Sequence, residues 1–559
     1  MKRFALLSAR ARASSRVRSW AVAALWLSVV ALLGGPATLA QDDAATTARA
    51  QSTLEAYPYS SDQVTLIRGA EQVIGHGRTL LWRQHRLGNG TEDLMIDGQR
   101  HTAADQMLGF AVSPTGEVVS LAVRGGWQLR LNQRARMKVT RPIGTPRIGD
   151  LGQDAAAPVA LDGGAGVVVA KLDDRGALAA ETLGPFNALR WRHARFGPGP
   201  GALAVPVQDQ PGGRWRVLTA GMPFEPQAWT DLGPIDFLHP SGRPVYPAFA
   251  QGQWRVMAGD EPVGAPMAWI ESPVPAPAGD RVAWWAREVE SGKWALVVDG
   301  AWVGVGSAVR PAPIRWSADA STWAVVVDSG STQHVAHAFG RDETCEEVAG
   351  DSLTLSPIGG RVAYAAKQGE RWFVVLDGRP GPGYAEVDPA SLRFSPDGSR
   401  LIYAAKSDDG DWRLHDAGDG GRSIGTFAGS QLSGASILVS PTTGRIAALG
   451  AMGGRAVLLV DGEPAWAGDG AAEPVWSPDG ERLGALVHHA GGWRLWVEGR
   501  VSDQALHDLL PGSKPWFDLD AGVAWVYGRM PPRERAFGRL TLPLDDAGAQ
   551  APLVVAPTP

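Results

Sequence analysis

Residues 393–416 read RFSPDGSRLIYAAKSDDGDWRLHD, in which two apolar segments are separated by turn residues. Pro fixes its own φ and Gly tolerates a positive φ, so residues 395–398 predict a tight turn between two β-strands. A second turn is predicted at Gly410, after which Trp412 opens another alternating segment. This stretch therefore predicts a series of short antiparallel strands rather than a helix.

A phrase of Gly, up to two residues and then Trp, abbreviated here as Gly-x-Trp, recurs along the chain with a fixed period. Its tryptophans are Trp127, Trp215, Trp254, Trp294, Trp372, Trp412 and Trp493. The intervals between them are 88, 39, 40, 78, 40 and 81 residues, each one or two multiples of about 40. We assign degenerate copies to Gly176, Gly330 and Gly454, and outer copies to Gly90 and Gly538. About twelve repeat units result.

Two further phrases keep the same phase within each unit. Ser-Pro-x-Gly begins at Ser113, Ser356, Ser395 and Ser477, and Asp-Gly or Glu-Gly begins at Asp97, Asp299, Asp377, Asp461 and Glu498. Each unit thus contains three turn signals and four predicted strands. Four antiparallel strands in about forty residues predict an all-β fold made of β-propeller blades, with the tryptophan filling the space between neighbouring blades. Helical repeats would not place Gly and Pro three times per unit.

Twelve four-stranded blades exceed the roughly four to eight of an ordinary propeller, which favours two propellers over one ring. The Pro-rich stretch 261–277 is the preferred junction between the two propellers, and 310–313 is the second choice. A division into six and six units is left open. The predicted organisation is a signal peptide (1–40), an N-terminal segment (41–70), a first propeller region (71–270), a second (271–545) and a C-terminal tail (546–559).

The amino terminus has the pattern of an export signal. The first forty residues carry six cations and no acid, followed by a short apolar run and Ala37-Thr-Leu-Ala40. We expect cleavage after Ala40 and localisation to the periplasm or outside the cell, with an uncleaved anchor as the alternative. The remaining chain has 47 basic and 58 acidic side chains, a net charge of −11, which argues against nucleic acid as a partner. The basic cluster between Arg134 and Arg141 is interpreted as a solvated surface.

The sequence of the most regular units resembles a known repeat type. Residues 394–403 (Phe-Ser-Pro-Asp-Gly-Ser-Arg-Leu-Ile-Tyr) and 372–378 (Trp-Phe-Val-Val-Leu-Asp-Gly) resemble the TolB-type, WD40-like propeller repeats of bacterial envelope proteins. The resemblance is good over 351–499, weaker over 71–350 and faint after 511. It implies a propeller fold and an exported binding role. It implies no catalytic residue in this sequence, because the repeat motif is structural.

The sequence predicts no catalytic, cofactor-binding or metal-binding residue. His488 and His489 are adjacent on a predicted strand and point to opposite faces, an objection that also applies to His334 and His337. The acids at 408–411 are interpreted as a hairpin tip, and Asp397 and Asp479 as caps of their own turns. Residues 286–294 loosely resemble the docking motif of quinoprotein propellers, and residues 317–323 loosely resemble a sialidase Asp-box. Each resemblance occurs once and is interpreted as coincidence.

The remaining expectations concern function. We expect a non-catalytic binding scaffold for a protein, peptide or glycan, with no integral membrane domain after signal cleavage. Residues 133–151 and 208–213, together with the junction between propellers, are the candidate contact surfaces. The alternative is a propeller enzyme, such as a lyase, lactonase or glycosidase, with residues from several blades around a channel. The lone Cys345 is expected to pack as a small apolar side chain.

Overall fold

The computed structural model describes most of the chain between residues 48 and 545. The residues left out within that range are 60–63, 68–70, 75–76, 88, 133–134, 174–176, 200, 223–226, 288–291, 293, 309–310, 428–431, 453 and 532–534. The predicted signal peptide and C-terminal tail lie outside the described residues. The propeller lies in the compact unit Thr46–Pro559.

The described residues form twelve sheets that follow one another along the chain as the blades of a β-propeller. This confirms the predicted all-β class, the four-stranded unit and the number of units. The first strand of each blade is innermost, because first strands of neighbouring blades contact each other, and later strands lie progressively outward. Within the described part of the chain, no helix has the length and apolar character needed to cross a bilayer.

The first six blades follow in chain order, each with its strands from inside to outside. Blade 1 contains Val64–Leu66 and Gln72–Ile74, then Thr79–Arg86, Glu92–Ile96 and Gln99–Ala104. Blade 2 contains Gln106–Val112, Val118–Val123, Trp127–Leu131 and Ala135–Lys138. Blade 3 contains Arg147–Ile148, Asp154–Leu161, Gly164–Leu172 and Leu178–Phe186. Blade 4 contains Ala188–Leu189 and Arg195–Phe196, then Leu203–Gln208 and Trp215–Ala220. Blade 5 contains Asp231–Leu232 and Asp236–Phe237, then Pro244–Ala250, Gln253–Ala258 and Glu261–Met267. Blade 6 contains Trp269–Ile270 and Val274–Pro275, then Val282–Arg287, Trp294–Val298 and Ala301–Ala308.

The last six blades have the same plan. Blade 7 contains Arg315–Trp316, Trp323–Asp328, Gln333–His337 and Gly340–Arg341. Blade 8 contains Glu347–Val348 and Thr354–Leu355, then Val362–Gln368, Arg371–Leu376 and Arg379–Tyr384. Blade 9 contains Glu386–Val387 and Arg393–Phe394, then Leu401–Lys406, Trp412–Asp416 and Arg422–Phe427. Blade 10 contains Leu432–Val439, Ile446–Met452, Arg455–Val460 and Glu463–Gly468. Blade 11 contains Gly470–Trp476, Leu483–His489, Gly492–Val497 and Arg500–Ser502. Blade 12 contains Asp508–Leu509 and Trp516–Asp518, then Val523–Arg529 and Ala536–Pro543. Short 3-10 turns lie at Trp191–His193, Gly350–Ser352, Pro389–Ser391 and Ala417–Asp419.

Two strands from the N-terminal part of the chain, within residues 48–58, complete the last two blades. Thr53–Pro58 pairs antiparallel with Ala536–Pro543 as the outermost strand of blade 12, with Leu54 opposite Leu540. Ala48–Ala50 pairs parallel with Arg500–Ser502 at the edge of blade 11. Part of the predicted N-terminal segment therefore belongs to the propeller itself.

The Asp-Gly hairpins adopt the conformation that their sequence predicts. Both central residues have a positive φ, for example 51° at Asp377 and 75° at Gly378. These are the values of a type I′ turn, whose twist suits an antiparallel pair of strands. The assignment at Gly176 was wrong in phase. Blade 3 turns into its third strand near Gly163, so Leu178 opens the fourth strand.

Each repeated tryptophan packs between its own blade and the next, as predicted. Trp412 of blade 9, for example, is buried in a cluster with Ile437 and Ile446 of blade 10. The same relationship holds for the other six, Trp127, Trp215, Trp254, Trp294, Trp372 and Trp493. The regular spacing of tryptophan thus has a packing cause, since one indole fills each of these interfaces.

The packing between blades forms one continuous series. Eleven apolar clusters join consecutive blades, and a twelfth joins blade 12 to blade 1 through Tyr527, Phe537 and Trp82. Blades 5 and 6 meet between Met267 and Trp269, next to the predicted boundary at residue 270, and they share a cluster of the same kind. Among the described residues, no break in packing marks that position, and the division into regions 71–270 and 271–545 stays a prediction.

Candidate functional site

The charged residues of the repeat connect turns and blades. Arg361, which follows a Ser-Pro-x-Gly turn, places its Nε 2.9 Å from Oδ2 of Asp377. Its Nη1 donates to the carbonyl of Ser399 in the next blade at 2.9 Å. Oδ1 of Asp377 accepts from the backbone N–H of Val362 at 3.0 Å. One ion pair therefore fixes two turns of blade 8 and attaches them to blade 9.

The same contact recurs around the ring. The corresponding acid–base pairs are Arg243 with Glu261, Arg281 with Asp299, Arg400 with Asp416 and Arg445 with Asp461. Arg281, Arg400 and Arg445 also donate to a backbone carbonyl of the following blade. We conclude that this set of charges is structural.

The acids in the turns behave as predicted. Asp397 accepts from the hydroxyl of Ser395 and from the backbone N–H of Ser399, and these bonds lower its pKa to about 2. Asp479 makes the same contacts with Ser477 and Glu481. The acids at 408–411 form the predicted hairpin tip, where Arg371 and Arg413 pair with Asp408 and Asp409.

The histidines singled out by sequence make packing and local polar contacts. His488 packs on Trp493 with ring centroids 5.4 Å apart, whereas His489 is exposed. His334 is buried, and Nε2 of His337 lies 3.3 Å from Asp342. Cys345 is half-buried, and burial raises the pKa of its thiol. Across the described residues, no three His, Cys, Asp or Glu side chains are grouped as metal ligands. Part of the 286–294 motif lies outside the described residues.

Strand direction divides the ring into two faces. Because strands alternate in direction, the first-to-second and third-to-fourth turns of every blade lie at the same end. We call this end the turn face. It carries the Ser-Pro-x-Gly and Asp-Gly turns, and the Gly-x-Trp turns lie on the opposite face.

A cavity of about 360 Å³ lies along the innermost strands of blades 2–5, where their chains enter the turn face. We call it the inner cavity. Its lining residues are Ala111, Val112, Arg147, Ile148, Asp150, Arg195, Phe196, Gly197, Pro198, Asp236, Phe237 and His239. The predicted contact segment 133–151 contributes three of them, whereas segment 208–213 contributes none. This volume is at the lower end of the range of small-molecule sites.

Three charged residues of the inner cavity occupy equivalent positions in successive blades. Arg147, Arg195 and Asp236 each open the short strand that leads into the first turn, in blades 3, 4 and 5. Nη2 of Arg147 donates to the carbonyl of Trp191 at 3.1 Å, and Nη1 of Arg195 to that of Ala194 at 3.1 Å. Their guanidinium groups are thus held by backbone rather than by carboxylates.

Positive charge accumulates beside the inner cavity. Burial lowers the pKa of Arg147, and the charge of Arg195 lowers it further. Burial also lowers the pKa of His193, with additional lowering from Arg192 and Arg190. Nε of Arg147 and Nδ1 of His193 are buried without a hydrogen-bond partner among the described residues.

Sequence reasoning overlooked this basic cluster. It treated the residues between Arg134 and Arg141 as the one basic cluster, although residues 190–195 read RWRHAR. Four cationic or titratable side chains in six residues were the available signal. Arg190 alone of the three arginines has a carboxylate partner, with Nη2 2.7 Å from Asp231.

A second cavity of about 700 Å³, the outer cavity, lies between blades 8 and 9 on the turn face. Tyr403 lines it, and its hydroxyl lies 2.7 Å from that of Tyr384. The ring of His415 stacks on Tyr403 with centroids 5.2 Å apart, and its Nδ1 lies 2.9 Å from the carbonyl oxygen of Gly421. Burial raises the pKa of Tyr403 and lowers that of His415, so both groups are neutral at pH 7.

Exposed apolar side chains also occur on the turn face. Phe339 and Ile358, 70% and 50% exposed, lie in adjacent turns of blades 7 and 8, and the Phe339 ring lies against Gly360. We call these two residues the apolar patch. Leu151 and Leu519 occupy turns of blades 3 and 12 on the same face. On the opposite face, Leu87 is 62% exposed.

No protein-family model and no curated protein matches the sequence. Among solved structures, one described as "Crystal structure of the eukaryotic initiation factor" is 9% identical, with a TM-score of 0.33, and the match covers 73% of this chain and 91% of that one. "Structure of Dos1 propeller" is 12% identical, with a TM-score of 0.26 and coverage of 58% and 93%. "Dihydro-heme d1 dehydrogenase NirN in complex with DHE" is 12% identical, with a TM-score of 0.25 and coverage of 65% and 77%. All three TM-scores are below 0.5.

Proposed function

We propose that this chain is an exported, non-catalytic propeller that binds a protein, peptide or glycan partner through its turn face. The observation that carries the proposal is that the charged residues of the repeat make contacts within and between blades. Arg361, Asp377 and their equivalents hold blades together, so their polar groups are already engaged in structural contacts. The apolar patch and the inner cavity lie on the turn face outside that framework, whereas Arg361 and Asp377 themselves line the outer cavity. Binding sites are commonly carried by the connecting segments of a rigid scaffold.

Export is proposed from the sequence. The basic and apolar segments before Ala40 support it, as does the resemblance of 351–499 to TolB-type repeats of envelope proteins. Mass spectrometry of the protein recovered from its native compartment tests the cleavage. A mature chain beginning at Gln41 agrees with the proposal, and a chain that keeps Met1 contradicts it.

Site-specific photocrosslinking tests the proposed binding face. A photoreactive residue at Phe339 on the turn face is compared with one at Leu87 on the opposite face, since both side chains are strongly exposed. We expect a discrete crosslinked product in the native compartment from position 339 and none from position 87. Equal products from both positions, or none from either, would contradict a binding role for the turn face.

The enzyme alternative has one observation in its favour. Arg195, Asp236 and His239 come from different blades and line the same cavity, which is how a propeller enzyme would assemble scattered catalytic groups. Mass-spectrometric screening of glycans, lactones and peptides tests it. Turnover by the wild-type chain that is lost in Asp236→Asn would establish an enzyme. Turnover that persists in the variant would come from elsewhere.

A further inference from the structure

The inner cavity contains opposite charges that are not paired with each other. Arg147 and Arg195 line it together with Asp150 and Asp236. Among the described residues, no ion pair within 4.0 Å joins either of these arginines to a carboxylate. Arginines that follow a Ser-Pro-x-Gly turn do pair with acids, as Arg361 does with Asp377, whereas Arg393, which has the place of Arg195 in blade 9, donates to a backbone carbonyl as Arg195 does. Among the described residues, the inner cavity therefore holds charges of both signs with no ion pair between them.

The cations of the cavity are already positioned. Arg147 donates to the carbonyls of Trp191 and Arg192 at 3.1 and 3.3 Å, and its guanidinium lies 5.6 Å from the centroid of the Trp191 ring. Its side chain thus spans from blade 3 to blade 4. A guanidinium held in this way loses little further freedom when a ligand's carboxylate binds.

One of the two acids, Asp236, lies beyond the arginines along the same set of blades. Asp236 occupies in blade 5 the position that Arg195 occupies in blade 4. It accepts from the backbone N–H of Phe237 at 2.9 Å through Oδ1. Asp150 lies in the first turn of blade 3, and His239 in that of blade 5. The cavity thus has both cations and Asp150 towards blades 3 and 4, and Asp236 without a neighbouring cation of the lining towards blade 5, apart from His239.

We propose that the inner cavity binds a small zwitterion of the amino acid or short-peptide class, with its carboxylate at Arg147 and Arg195 and its ammonium group at Asp236. The inference rests on the proposed binding function and names a ligand for one site on the turn face. Two cations and two carboxylates give the lining no net charge, apart from His239. A dianion such as phosphate would meet repulsion from Asp150 and Asp236, whereas a zwitterion satisfies both signs.

Direct binding to the full chain tests this proposal. The probe is the dipeptide L-alanyl-L-alanine, compared by calorimetry or ligand-observed NMR with its N-acetyl derivative and its C-terminal amide. We expect the free dipeptide to bind, and each blocked derivative to bind at least 10-fold more weakly, because each derivative lacks one of the two charges. Equal binding of the N-acetyl derivative would overturn the proposal, as would absence of binding by the free dipeptide.

Variants locate the site. Arg195→Gln and Asp236→Asn remove one charge each at exposed positions, and each is expected to weaken dipeptide binding at least 10-fold. Arg393→Gln is the matched control, because Arg393 has the same place in blade 9 and donates to the carbonyl of Leu392 as Arg195 does to that of Ala194. Unchanged binding in Arg195→Gln, or equal weakening in Arg393→Gln, would overturn the proposal. Crosslinking at Phe339 does not involve these residues, so the two proposals fail separately.

Discussion

Arg445 of blade 10 lies over Trp476 of blade 11, with its guanidinium carbon 5.2 Å from the ring centroid. Its Nε is 3.3 Å from Asp461 in its own blade, and its Nη1 is 3.3 Å from Glu498 in the next. One side chain thus combines an ion pair within a blade, an ion pair between blades and a cation–π contact. Among the charged residues of the repeat, it has the most complete set of contacts across an interface.

Arg445→Ala is expected to lower the free energy of unfolding by about 1 kcal/mol, because the ion pairs are partly exposed and each contributes little on its own. Chemical denaturation measures the change. Arg371→Ala is the control, since among the described residues the ion pair of Arg371 is with the exposed Asp408, at a hairpin tip of blade 9. A loss at Arg371 as large as that at Arg445 would contradict the special role of the latter.

Trp412→Ala is expected to cost about 3–5 kcal/mol, the usual loss for a large aromatic side chain removed from a core. Trp412 is 8% exposed and packs between blades 9 and 10. Trp302 is 44% exposed, and Trp302→Ala should change the free energy of unfolding by less than about 0.5 kcal/mol. Thermal and denaturant unfolding of both variants checks the difference, and similar losses would refute the packing role of the repeated tryptophan.

Leu54→Ala tests the closure of the ring. Leu54 packs against the cluster between blades 11 and 12, and we expect the substitution to lower the free energy of unfolding by about 2 kcal/mol. The neighbouring Thr53 is exposed on the same strand, so Thr53→Ala serves as control. Hydrogen exchange should show faster exchange in blade 12 for Leu54→Ala alone. Unaltered protection of blade 12 would mean that the N-terminal strand does not stabilise it.

His101 makes stability depend on pH. It is 1% exposed, and burial lowers its pKa from 6.5 to about 4. The folded state therefore binds its proton less readily than the unfolded state, so the stabilisation is complete above pH 6.5 and is lost as the pH falls towards 4. Between pH 7 and 5 the expected loss is about 2 kcal/mol. His101→Gln should remove this part of the pH dependence in unfolding measurements, and an unchanged pH profile would contradict the assignment.

The sequence predicted those features of the fold that short segments determine. Gly398 and Gly378 permit turns that only a few residues specify, and Trp412 repeats at the spacing of one blade. The pairing of Leu54 with Leu540 could not be predicted in this way, because no local pattern records a partner at the other end of the chain. The continuous packing across residue 270 also depends on contacts between blades rather than on the Pro-rich composition there.

The inner cavity illustrates the same limit. Arg147, Arg195 and Asp236 lie about one blade apart in sequence, and only the ring brings them together. Each could have been found as the residue that opens a short strand before a turn, but blades 3–5 lack the full Ser-Pro-x-Gly phrase that would have aligned them. The basic run at 190–195 was visible, yet its position beside a cavity was not.

The seam between the two ends of the chain also constrains biosynthesis. The ribosome makes Thr53–Pro58 first, and its partner strand only after nearly all the intervening blades have been translated. Throughout that interval the early segment has an unsatisfied hydrogen-bonding edge, the kind of surface that recruits foreign strands. We therefore expect a product that lacks Ala536–Pro543 to aggregate more readily than one that contains both strands.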